Sequence, residues 1–130
     1  MTDRKLVDAK DAPRANGHYS HAIINNGLVY CAGQTPVDPA TGEIVAGGFE
    51  NQVHQSLKNL AIVLKAAGSD LGLTLKTTVF LKDMNNLAKM DAIYREYFAA
   101  PPPARSTIEV ARLPKDSLVE IELVAVLPKA

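Results

Sequence analysis

The chain has no tryptophan, one cysteine (Cys31), only 5% aromatic residues and no net charge, with fourteen Lys and Arg balancing fourteen Asp and Glu in 130 residues. Each shortage excludes something. A lone cysteine rules out an intrachain disulfide and suits a reducing compartment. Balanced charge leaves no long-range field to draw the chain to nucleic acid or an anionic membrane. The few aromatics leave little surface on which bases could stack, so an RNA partner is not expected. No apolar run approaches the roughly 20 residues that a membrane helix requires. The stretch from Met1 to Arg14 contains Asp3, Asp8 and Asp11 but no apolar centre. It therefore reads neither as a secretory signal nor as an acidic-poor transit peptide. A cytoplasmic protein is the expectation, with a mitochondrial location left open. His18, His21 and His54 have no metal-ligand spacing among themselves or with Cys31. They read as surface or rim residues, and no metal is expected.

What remains is an ordinary globular composition, 47% apolar and 22% charged, in a chain long enough for one domain, 1–130, with a buried core. Lys5-Leu6-Val7 is at most a short edge strand. Ser20 to Ile24 and Leu28 to Gly33 read as two strands of a hairpin, because Asn25-Asn26-Gly27 between them tolerates positive φ. Gln34 to Gly48, with Pro36, Pro39 and Gly42, is a long loop. From Phe49 to Ala67 apolar residues recur every three or four positions, one face of a helix, with Gly68 as its stop. Leu73 to Lys82 alternates, which places Leu73, Leu75, Thr77, Val79 and Leu81 on one side of a strand. Leu87, Met90, Ile93, Tyr94 and Tyr97 mark a second helix, ended before Pro101. Arg105 to Val110 and Leu118 to Leu127 are the last strands. The order is β-β-α-β-α-β-β with a mixed sheet and two helices on one face, a two-layer α+β sandwich. The final strand is apolar on both sides, so its helix-free face is expected to be covered as well, most economically by a homo-oligomer.

The stretch from Pro101 to Glu122, PPPARSTIEVARLPKDSLVEIE, concentrates the polar signals. Arg105 opens one strand, and Glu120 and Glu122, facing the same way two residues apart, sit in the next. A cation and carboxylates on neighbouring strands would make a small polar site. The plain alternative is an ion pair, with Glu109 or Glu122 as partner of Arg105. Cys31, inside an apolar strand, reads as an inert small hydrophobe, and Arg112 and Lys115 as solvating a turn. Tyr19 suits either a site wall or rim packing.

Pro103-Ala104-Arg105-Ser106, then Ile108 to Asp116, then Glu120-Ile121-Glu122, resemble the signature of the RidA family, the YjgF group of imine deaminases. Cys31-Ala32-Gly33-Gln34, Ala66-Ala67-Gly68 and Lys76 to Asp83 extend the resemblance, in order, over nearly the whole chain. It implies a chorismate-mutase-like fold, a homotrimer with clefts between subunits, and hydrolysis of 2-imino acids and their enamine tautomers to 2-keto acids and ammonia. It further implies that Arg105 binds the substrate carboxylate, Glu120 orients the water, and Tyr19 lines the cleft from a neighbouring subunit. Gly33 would lie in the strand bordering the pocket. Three positions depart from the best-characterised deaminases: Thr107 stands for cysteine, Ala32 for serine, and Asp91 for asparagine.

The chemistry is coherent on its own terms. Arginine offers a planar fork that matches a carboxylate bidentately. A carboxylate that positions or deprotonates water suffices for attack on an imine, with no metal or organic cofactor. Two other classes stay open: an RNA-directed endoribonuclease or translation inhibitor, and a non-catalytic small-molecule sensor or chaperone-like trimer.

Overall fold

The computed structural model describes residues 3–129. Eight elements follow in chain order: β1 (Lys5–Val7), β2 (Ala22–Asn25), β3 (Leu28–Gln34), α1 (Phe49–Ala67), β4 (Thr74–Leu81), α2 (Leu87–Tyr97), β5 (Ala104–Glu109) and β6 (Val119–Val126). The expected α+β architecture is present, and the short N-terminal strand joins it. The β2–β3 hairpin turns through Asn26 at φ 51° and Gly27 at φ 76°, the left-handed pair that a two-residue hairpin demands.

The six strands form one mixed sheet in the order β1-β2-β3-β6-β4-β5. β4 and β5 are parallel, linked by α2 as a crossover, and every other pairing is antiparallel. α1 carries the chain from β3 to β4 and leaves a central gap, which the last strand fills. β6 is thus covered on one face by Val53, Leu57, Leu60 and Leu64 of α1, all fully buried together with its own Val119, Ile121, Leu123 and Ala125. Full burial of each such aliphatic side chain stabilises the fold by about 1.5–3 kcal/mol, and this shared core holds both helices on one face of the sheet.

Two sequence expectations change here. β5 and β6 are not neighbours, because β4 lies between them. Leu75 does not join Thr77, Val79 and Leu81 in the core but is 49% exposed. The register against β6 slips between Thr74 and Lys76, and that bulge turns Leu75 outward. Simple alternation cannot anticipate an inserted residue.

Candidate active site

Strand register decides which of the singled-out residues can meet. Arg105 pairs with Thr77, and Thr77 with Leu123, so Arg105 points to the helix side. Glu120 pairs with Phe80, one step out of phase with the buried residues, and points to the helix-free side. One chain therefore does not bring Arg105 and Glu120 together. The polar site expected on neighbouring strands is two clusters on opposite faces.

The first cluster is built on α2 and the edge strand β5. Asp91, Tyr94 and Arg95 stand at i, i+3 and i+4 on one face of α2. Arg105 donates from Nη1 to Asp91 Oδ1 at 2.8 Å, and Arg95 Nε donates to Asp91 Oδ2 at 3.0 Å. The guanidinium carbon of Arg105 lies 4.7 Å from the centre of the Tyr94 ring, within cation–π range. Tyr94 is itself anchored, its hydroxyl 2.7 Å from Thr77 Oγ1 beneath the strand, and burial raises its pKa. The hydrogen bond from Arg105 holds the Asp91 carboxyl below the usual carboxylate range, although partial burial opposes the shift. The partner of Arg105 is thus Asp91, not Glu109 or Glu122. Glu109 instead accepts from the Met84 backbone N–H at 2.9 Å. Through Nε and Nη2, Arg105 makes no hydrogen bond among the described residues. Thr107, two residues on, lies on the same side of β5, opposite Val79.

The second cluster lines a cavity of about 720 Å³ that includes Tyr19, Ala32, Gly33, Glu120, Arg14 and Lys115. Its floor is a bulge. Cys31 pairs with Leu123 but Gln34 with Ile121, so Ala32 and Gly33 form the irregular segment, with one residue more than its partner. Both of those flanking side chains stay buried, while Ala32 and Gly33 face the cavity. A Cβ at Gly33 would lie 3.0 Å from Cδ of Glu120 and would collide with its Oε2. Glycine lets the carboxylate lie against the strand. Glu120 accepts no hydrogen bond among the described residues; burial, and then the charge of Glu122, raises its pKa.

Buried polar side chains fix the cavity walls. Asn59 of α1 donates to the carbonyls of Thr35 and Val37 at 3.3 and 2.9 Å, which ties the long loop to the helix. Gln52 accepts from Leu118 N–H at 2.8 Å, just before β6. His21 is buried, not a rim residue. Its Nδ1 accepts from Ala9 N–H at 3.0 Å and its Nε2 lies 2.8 Å from the Pro13 carbonyl, an arrangement that requires the Nε2–H tautomer. It thereby clamps the segment leading to Arg14 and Tyr19. Lys115 bonds the Gly42 carbonyl at 3.1 Å, and Arg112 pairs with Asp116 at 2.7 Å. Cys31 is buried and its pKa is pushed up to about 12, so it presents no thiolate at neutral pH. Among the described residues no three His, Cys, Asp or Glu side chains converge to hold a metal ion.

Sequence reasoning misses Tyr94 as the platform for Arg105, and Arg14 and Lys115 as cavity walls. The D-x-x-Y-R spacing on α2 is the available signal for the first. No local pattern announces the other two, which reach the cavity from separate loops.

The sequence model of the family described as Endoribonuclease L-PSP matches residues 9–127. A RutC family protein of Pyrococcus horikoshii is 48% identical over 122 residues, covering 94% of this chain and 97% of that one. A 2-iminobutanoate/2-iminopropanoate deaminase of Rattus norvegicus is 44% identical over 123 residues, with 95% and 90% covered. The crystal structure of E. coli TdcF with bound serine superposes with a TM-score of 0.89 at 39% identity, covering 95% of this chain and 99% of that chain.

Proposed function

This chain belongs to the Endoribonuclease L-PSP family, the RidA/YjgF group, and we propose that it hydrolyses 2-imino acids such as 2-iminobutanoate and 2-iminopropanoate to 2-keto acids and ammonia. The observation that carries the reading is a pair of complementary half-sites: an arginine stacked on Tyr94 with an unused donor edge, and a carboxylate of raised pKa in a cavity. The deaminase name borne by mammalian relatives supports it.

In this mechanism Arg105 receives the substrate carboxylate, and Thr107 donates a hydrogen bond beside it. Glu120 accepts a proton from water as the water oxygen bonds to the imine carbon. The imine nitrogen, already protonated in the bound zwitterion, keeps its protons as the C=N double bond opens, giving a carbinolamine. Glu120 then passes the proton it took from water to that nitrogen, and ammonia leaves as the hydroxyl releases its proton to solvent and the carbonyl forms, which restores Glu120 to its starting charge. A raised pKa suits a group that must take up and return a proton near neutrality. Tyr19, Ala32 and Gly33 form the wall on the Glu120 side.

Because one chain holds the halves on opposite faces, the working site lies between subunits, in a homotrimer. Leu6, Tyr30 and Ile108 on the helix-free side are 67%, 46% and 44% exposed, an apolar surface that a second copy would cover. The test couples a threonine dehydratase to the purified protein and follows decay of 2-iminobutanoate, with light scattering on the same sample. Faster decay and a mass three times the 14.0 kDa chain are expected. Unchanged decay removes the enzymatic reading. RNA cleavage that survives Arg105→Ala would replace it with the endoribonuclease one.

A further inference from the structure

The carboxylate-binding arginine is not a free cation. Asp91 spans two arginines, with one oxygen on Arg105 Nη1 at 2.8 Å and the other on Arg95 Nε at 3.0 Å. The Arg105 and Asp91 side chains are only 25% and 30% exposed, whereas Arg95 is 78% exposed. Water therefore screens the Arg95 partner far better than it screens Arg105. A ligand that takes the open edge of Arg105 brings its own carboxylate beside that of Asp91, and like charges at that range repel.

The cost depends on the ligand's net charge. A 2-keto acid arrives as a bare anion. A protonated 2-imino acid is a zwitterion, its carboxylate adjoining a positive nitrogen. Resting on the assignment of Arg105 above, we propose that Asp91 is a specificity-determining residue that favours zwitterionic iminium acids over net-anionic keto acids. The same charge discriminates against the product, since hydrolysis turns a neutral zwitterion into an anion. Asparagine at this position would keep the hydrogen bond to Arg105 and lose the discrimination.

L-2-Aminobutanoate and 2-oxobutanoate are close in shape and differ in the charge at C2, so they serve as non-turnover probes by calorimetry. At a separation of about 6 Å and an effective dielectric of about 40, between the protein-surface and bulk-water values, one unit charge changes affinity roughly tenfold. Asp91→Asn should therefore strengthen 2-oxobutanoate binding about tenfold relative to L-2-aminobutanoate. Arg95→Gln, which removes only the exposed partner, should shift the ratio the other way, by roughly two- to threefold. A ratio within twofold of wild type in both variants would overturn the proposal. Arg105→Ala separates the two readings: if it binds both probes as wild type does, the assignment of Arg105 fails, and if it loses both while Asp91→Asn leaves the ratio unchanged, only the role of Asp91 fails.

Discussion

The two half-sites hold their charges in opposite ways. The Arg105 cluster is paired from within: a carboxylate bonds two guanidiniums, which leaves a net positive charge, and one guanidinium is stacked on a tyrosine that is itself hydrogen-bonded to the sheet. Glu120 accepts no hydrogen bond among the described residues, and burial first, then the charge of Glu122, raises its pKa. The difference separates the tasks. A group that only positions a ligand gains from being locked in one charge state and one rotamer. A group that exchanges protons needs an environment that brings its pKa toward the working pH.

The largest expected effect comes from breaking the locked half. On the proposed role of Arg105, Arg105→Ala would remove two charge-assisted hydrogen bonds to substrate, so kcat/KM for 2-iminobutanoate should fall about 100- to 1,000-fold. The protein should stay folded by circular dichroism, since Arg105 lies at the sheet edge. Normal turnover by this variant would refute the division of tasks.

On the other half the perturbation is steric. Gly33→Ala displaces the Glu120 carboxylate that lies against the strand, and a misplacement of about 1 Å can cost up to 100-fold in rate. A fall in kcat of roughly 10- to 100-fold is expected, with binding of 2-oxobutanoate nearly unchanged. If Gly33→Ala weakened that binding as strongly as Arg105→Ala does, the halves would not be separable.

The smallest effect sharpens the comparison through pH. In the proposed mechanism Glu120 acts ionised, and its raised pKa means that activity should begin to fail on acidification at a higher pH than an ordinary carboxylate would allow. Glu122→Gln removes the lesser of the two causes. Ionisation of Glu120 becomes easier, and the acid limb of kcat/KM should move to lower pH by a small amount. Movement in the other direction would show that Glu120 is not the titrating group.

Much of the fold and part of the site are legible in the order of the residues. The α1 boundaries, Phe49 and Ala67, follow from a 3.6-residue apolar period and a glycine stop. The hairpin follows from Asn26-Gly27. The singled-out Tyr19, Ala32, Gly33 and Glu120 do line one cavity, and Asp91 does meet Arg105. The features that local pattern does not reveal share one cause. The exposure of Leu75, the partner of Arg105, the burial of His21 and the separation of Arg105 from Glu120 all depend on register or packing between segments distant in the chain.

By itself the sequence determined the elements, because helix and strand periodicity are written in adjacent residues and their stops in single glycines and prolines. It determined the residue types available for chemistry as well. Only the tertiary structure decided which of those residues share a face. A strand's two faces differ by a single residue of register, and that register is set here by packing β6 between β3 and β4 under α1. An arginine and a glutamate fifteen residues apart consequently stand on opposite sides of one sheet.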